Sequence, residues 1–150
     1  MILADVNVLV NAFRADAIQH VACRNWLLSV VNGQDRFGMS PQVLGSVVRI
    51  ATHPKIFLTP SSTREVVRFC QHLLDAPRCA VVTPREGHWA IFSRLCRETA
   101  ARGNLVSDAW FAALAIESGC EWITLDRDYA RFAGLTWRHP LAEGGQPGGA

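Results

Sequence analysis

Lysine is nearly missing from this 150-residue chain, where Lys55 stands alone against fourteen arginines. The net charge is only +2, so no polycationic surface demands a nucleic acid, although arginine forks suit phosphate where they meet it. No apolar run approaches the roughly 18 residues that span a bilayer. Nor does a basic stretch followed by an apolar one open the chain, and the expectation is a cytoplasmic protein that makes no membrane contact. The five cysteines, Cys23, Cys70, Cys79, Cys96 and Cys120, include no CxxC pair. They read as reduced core residues rather than a disulfide framework or a zinc site. The five histidines lack ligand spacing, and no serine or cysteine has a base beside it in a recognisable motif, which disfavours nucleophilic catalysis. Scattered glycines at 33, 38, 45, 87, 103 and 119 build no phosphate loop.

What is present is apolar. Hydrophobic residues make up 49% of the chain and charged ones 19%, enough for one sizeable core and one domain. The end, Glu143 to Ala150, holds four glycines and a proline with nothing large to anchor it. The division expected is a domain over 1–141 and a flexible Gly-rich tail over 142–150.

Ile2-Leu3-Ala4 is a strand that ends at Asp5-Val6-Asn7. Val21, Trp26, Leu27 and Val30 fall at helical spacing within 17–31, and Asn32-Gly33 stops that helix. A weak strand over 36–39 precedes Ser40-Pro41, an N-cap with proline at the first helical position, and a helix to about Ala51. Ser62 to Glu65 is a capping box for a helix ended by Pro77. Cys79 to Thr83 reads as a strand, and Thr83 to Glu86 as a second capping box for a helix to about Ala101. Arg102-Gly103-Asn104 is a loop, Ser107 caps a helix over 108–118, and Gly119 ends it. Trp122 to Leu125 is a further strand, followed by Asp126-Arg127-Asp128 and a helical turn. Alternating strands and helices imply an α/β fold, a central mainly parallel sheet flanked by helices on both faces. Its ligand crevice would lie beyond the carboxyl ends of the strands, where Asp5 and Asp126 are expected and which Asp108 can reach.

Carboxylates gathered at one mouth repel each other unless a hard cation such as Mg²⁺ or Mn²⁺ compensates them. Such an ion activates water against a phosphodiester. Each aspartate alone reads equally well as a helix cap or a partner for a helix dipole; two strand ends and one helix start of the same sign are harder to dismiss.

Four segments in this order and spacing, Ile2 to Phe13, Val48 to Pro54, Gly103 to Gly119 and Thr124 to Phe132, resemble the PIN-domain ribonucleases, and within them the VapC-type toxins of bacterial toxin–antitoxin pairs. The likeness spans nearly the whole ordered chain. It implies a metal-dependent endoribonuclease with Asp5 and Asp108 as ligands of Mg²⁺ or Mn²⁺, Asp126 completing the acidic pocket and Asp128 as an auxiliary. Asn7 would orient a ligand or water. Asn104 and Ser107 would hydrogen-bond substrate or a carboxylate, beside their plainer readings as loop and cap. It further implies a homodimer and an RNA substrate. A VapB-type antitoxin would lay a peptide across the helical groove, and operator DNA would be met only through that antitoxin. One departure stands out: where many members carry a glutamate three positions before the arginine matched by Arg49, this chain has Ser46. No acidic residue occurs between Asp35 and Glu65, which leaves the number of metal ions at one or two.

Arg14, Arg49 and Arg127 are the arginines placed to meet RNA, with a solvated surface as the alternative for each. Trp89, with Phe92 and Leu95 at helical spacing, suggests a dimer or partner surface. Two other functions compete. One is a non-catalytic PIN-fold binding module, motivated by Ser46. The other is a Mg²⁺-dependent α/β phosphatase, against which Asp5-Val6-Asn7 stands where Asp-x-Asp is wanted.

Overall fold

The structure, a computed structural model, describes residues 1–142; from Glu143 onward the expected tail lies outside the described residues. Five strands, β1 (Ile2–Ala4), β2 (Phe37–Met39), β3 (Cys79–Val81), β4 (Glu121–Ile123) and β5 (Trp137–Arg138), form one sheet in the order β3-β2-β1-β4-β5. Every pairing is parallel. Six helices connect them: α1 (Val6–Phe13), α2 (His20–Val31), α3 (Pro41–Ala51), α4 (Thr63–Asp75), α5 (His88–Thr99) and α6 (Asn104–Ser118), with a 3₁₀ turn over Arg127–Arg131.

Strand order and handedness place the layers. From β1 to β2 to β3 the chain moves one way across the sheet, then returns past β1 to β4. Right-handed crossovers put α1 to α4 on one face and α5 and α6 on the other. The packing agrees, since α1 contacts α2 and α3, α3 contacts α4, and α5 lies against α6. The direction of travel reverses between β1 and β4, and a crevice opens beyond their carboxyl ends at such a switch point.

Burial on both faces explains why the strands are almost wholly apolar. Leu3, Phe37, Met39, Trp122 and Ile123 are at most 1% exposed, and Leu3 sits between Gly38 of β2 and Trp122 of β4. A Cβ on Gly38 would stand 3.0 Å from Val82 Cγ2 and 3.1 Å from the Ile2 carbonyl oxygen, so this glycine allows the close approach. In α6, Ala109, Ala112, Ala113 and Ala115 are fully buried, a small-residue surface that brings the helix close to its neighbours. Among the described residues no helix is long and apolar enough to cross a membrane.

Several local expectations need correction. Helix α1 follows β1 immediately, with Asp5 as its N-cap. Helix α2 starts at His20 rather than 17, because the preceding loop is tied back to α1: the Gln19 N–H donates to Asn11 Oδ1 and His20 Nδ1 lies 2.9 Å from the Asn11 carbonyl. Val21 is exposed, and Cys23 and Leu27 carry the buried face. Ser40 precedes α3 as expected but does not cap it; its hydroxyl donates to Gln42 Oε1. At α4 the cap forms in its N-cap half, the Glu65 N–H donating to Ser62 Oγ at 3.2 Å. The second box does not form. Glu117 accepts the Arg85 N–H at 2.7 Å and the Arg85 guanidinium reaches the Glu117 carbonyl. This tie holds Arg85 out of the helix, and a turn over Glu86 and Gly87 leads into α5 at His88. Conversely α6 begins at Asn104, directly after Gly103 turns the chain with φ +56. Asn104 is therefore helical rather than in a loop, and Ser107 and Asp108 lie inside the helix, not at its cap.

Candidate functional site

Asp5 leaves the carboxyl end of β1 and is 5% exposed. Its own N–H is held by the Ile123 carbonyl of β4 at 2.8 Å. Its Oδ1 accepts the Val6 N–H at 2.6 Å and its Oδ2 accepts the Thr124 hydroxyl at 2.7 Å. Thr124 is a hub, since its Oγ1 also accepts from Asn7 Nδ2 at 3.2 Å and from the Asp126 N–H at 3.0 Å. Asn7 closes the network by accepting the Leu125 N–H through Oδ1. Two strand ends are thus locked together by side chains.

From the opposite layer α6 presents Asp108. Tyr129, in the 3₁₀ turn, donates its hydroxyl to Asp108 Oδ1 at 3.2 Å. The phenol ring is 2% exposed, packed 5.5 Å from Trp122 and 5.7 Å from Phe132 between ring centroids. Asp126 caps that same turn, its Oδ1 accepting the Asp128 N–H at 2.9 Å.

These groups line a cleft of about 650 Å³ together with Asn7, Asn104, Ser107, Ser46 and Arg49. Electrostatics inside it are unbalanced. Burial pushes the Asp5 carboxyl up to about 7 against the hydrogen bonds from Thr124 and Val6, and the charges of Asp108 and Asp126 push the same way. Asp108 is raised too, by burial first and then by Asp126, with the Tyr129 hydrogen bond opposing. Tyr129 itself is driven upward by burial and by the three neighbouring acids. None of the ion pairs among the described residues involves Asp5, Asp108 or Asp126. The carboxylates share the cleft without an ion-pair partner among the described residues, Arg131 acting on Asp108 only as a more distant opposing charge.

That donor set is oxygen only, which suits a hard divalent cation that keeps several waters. It is not a closed cage, for among the described residues no three acidic, imidazole or thiol groups converge closely enough to enclose an ion by themselves. A four-aspartate cluster is therefore not assembled. Asp128 is the outlier: it lies outside the cleft, exposed, with a carboxylate oxygen 3.8 Å from Arg131, and it reaches Asp108 only as a weak like charge.

The three arginines separate. Arg49 is exposed and lines the cleft beside Ser46. Arg127 is exposed but outside the cleft, on the side of His139, whose imidazole is lowered by burial and then by Arg127. Arg14 does not face solvent at all. It is 8% exposed, forks onto Asp16, donates to the Thr59 carbonyl and to Ser61 Oγ, and lies 4.0 Å over the Phe57 ring. It is a staple between the end of α1 and the segment carrying Ile56 and Phe57, which form one wall of the cleft. Expecting it to bind RNA failed because a burial of this kind depends on a partner 45 residues away. Thr124 and Tyr129 were not singled out in the sequence either. A threonine ending a strand and an aromatic residue in a turn look like packing residues until the fold turns their hydroxyls toward carboxylates.

Comparison with known proteins gives the same picture at the level of the whole chain. Residues 2–135 match the family model described as the PIN domain. The chain is 38% identical over 141 residues to the VapC ribonuclease Mb2897 of Mycobacterium bovis, covering 94% of this chain and 96% of that protein. Among solved structures it superposes on VapBC-1 from nontypeable Haemophilus influenzae with a TM-score of 0.66 at 18% identity, covering 95% of this chain and 100% of the other. It also superposes on VapBC2 from Rickettsia felis, bound to a DNA fragment from their promoter, with a TM-score of 0.63 at 16% identity, covering 93% and 98%.

Proposed function

This chain belongs to the PIN-domain family, and on that premise we propose that it is a divalent-metal-dependent endoribonuclease, the toxin of a toxin–antitoxin pair. The observation that carries the proposal is the trio Asp5, Asp108 and Asp126 lining one cleft, none of them in a salt bridge among the described residues. It occurs in a chain 38% identical, over nearly its full length, to a VapC ribonuclease.

Asp5 and Asp108 hold the ion, Mg²⁺ or Mn²⁺, and Asp126 adds negative charge beside them. When bound, the ion supplies an activated water and offsets charge on the phosphodiester under attack. The chain's own residues set the stage for it. Thr124 fixes the Asp5 carboxylate and ties Asn7 and the Asp126 backbone to the same point. Arg49, the only basic side chain lining the cleft among the described residues, meets a phosphate of the RNA. Ile56, Phe57 and Phe111 supply apolar wall against which a splayed nucleotide is held. Ser46 contributes a neutral hydroxyl rather than a charge, which favours a single ion.

The partner is a small VapB-type antitoxin; the structural neighbours from H. influenzae and R. felis are VapBC proteins, and the latter carries promoter DNA. Purified protein, freed of contaminating nuclease and given Mn²⁺, should cut RNA at discrete positions and stop when the metal is chelated. Equal cleavage by Asp5→Ala would assign the activity to something else. Expression should arrest growth, and co-expression of a neighbouring small antitoxin should relieve it.

A further inference from the structure

The carboxylates of the cleft are already partly occupied by the protein. Asp108 gives Oδ1 to the Tyr129 hydroxyl, Asp126 gives Oδ1 to the Asp128 N–H, and Asp5 has one donor on each oxygen, Val6 N–H on Oδ1 and Thr124 Oγ1 on Oδ2. On Asp108 and Asp126 the second oxygen has no hydrogen-bond donor among the described residues.

We propose that Tyr129 is a positioning residue that restricts Asp108 to one-oxygen coordination and so tilts the site toward small octahedral cations and away from Ca²⁺. The inference rests on the metal-site reading above and goes further, assigning cation preference to a named side chain. Ca²⁺ takes six to eight oxygens and readily uses a carboxylate bidentately, whereas Mg²⁺ keeps a near-octahedral shell of single oxygens and waters. A carboxylate with one oxygen engaged by a fixed donor is a poor bidentate ligand and a good monodentate one.

The donor is fixed. Tyr129 cannot swing away from Asp108 without leaving Trp122 and Phe132, against which its buried ring is packed. It is also the only tyrosine in the chain, and phenylalanine would fill the same space without the hydroxyl. A ring chosen for packing alone needs no oxygen at the rim of an acidic cleft.

The test is calorimetric titration of wild type and Tyr129→Phe with Mn²⁺ and, separately, with Ca²⁺. Wild type should prefer Mn²⁺. In Tyr129→Phe, Mn²⁺ affinity should fall by about tenfold, the scale on which groups supporting a metal ligand act. Ca²⁺ affinity should hold or rise, so that the preference for Mn²⁺ shrinks by at least about tenfold. A variant that weakens both ions equally, or leaves their ratio unchanged, overturns the role of Tyr129 while leaving the metal site intact. Failure of wild type to bind either ion overturns the metal site itself, and this inference with it. Should Tyr129→Phe fold poorly, Tyr129→Met removes the same hydroxyl from Asp108 Oδ1 with a flexible apolar filler; its preference for Mn²⁺ over Ca²⁺ should shrink in the same way, and an unchanged ratio contradicts the inference.

Discussion

Thr124 Oγ1 lies 2.7 Å from Asp5 Oδ2, a contact between residues 119 positions apart that joins the ends of β1 and β4 at the point where the sheet reverses direction. One hydroxyl serves three partners there, as donor to Asp5 and acceptor from Asn7 and the Asp126 N–H. Replacing it with an isosteric methyl strips Asp5 Oδ2 of its donor and leaves the Asn7 amide and the Asp126 N–H without their acceptor. Thr124→Val should cost about 1–3 kcal/mol of stability and lower RNA cleavage by about 10- to 100-fold. Urea unfolding and cleavage at saturating Mn²⁺ measure the two effects separately.

The raised carboxyl of Asp5 makes stability depend on pH with a definite sign. Its folded value is about 7 against an ordinary 3.8, so the folded state binds the proton more tightly than the unfolded chain does. The associated stability is fully present below about pH 4 and is lost as pH rises through 7. Without metal, wild type should lose stability relative to Asp5→Asn between pH 4 and 8. Added Mn²⁺ should restore more to wild type at pH 8 than at pH 6, because below 7 it competes with a proton. Melting curves of both proteins in chelator and in Mn²⁺ read this directly; parallel pH profiles would contradict it.

Arg14 ties the end of α1 to the segment that carries Ile56 and Phe57 into the cleft. Arg14→Met keeps the aliphatic stem over Phe57 but removes every polar tie to Thr59, Ser61 and Asp16. The wall should loosen while the carboxylates stay in place. KM for RNA should therefore rise several-fold with kcat held within about twofold, and limited proteolysis should open the chain between His53 and Ser62. An equal fall in kcat would place Arg14 closer to the chemistry than the geometry does.

The N-cap at Ser62 is legible because its parts are local, whereas Thr83 to Glu86 looks equally good in sequence and does not cap, because Glu117, far along the chain, claims the Arg85 N–H. Helix α1 is hard to read because it has only eight residues, most of them buried, with Asn7 and Asn11 alone marking its polar side. Strand β5 has two residues, too few for any alternation to register. At the site, Asp5 and Asp126 were placed by the plain rule that parallel strands end at the crevice. Asp108 was placed for a partly mistaken reason, as the start of a helix that in fact begins four residues earlier. The hydroxyls of Thr124 and Tyr129 were invisible because their meaning lies in contacts spanning 119 and 21 residues.

Asp108 lines the cleft with Asp5 and, in the proposed function, holds the divalent ion on which RNA cleavage depends. Titration of Mn²⁺ into wild type and Asp108→Asn, followed by the electron paramagnetic resonance of the free ion, tests it with one changed atom and no RNA present. The account predicts saturable binding to wild type and an affinity at least about tenfold weaker in Asp108→Asn. Equal affinity in the two proteins would remove Asp108 from the metal site and contradict it.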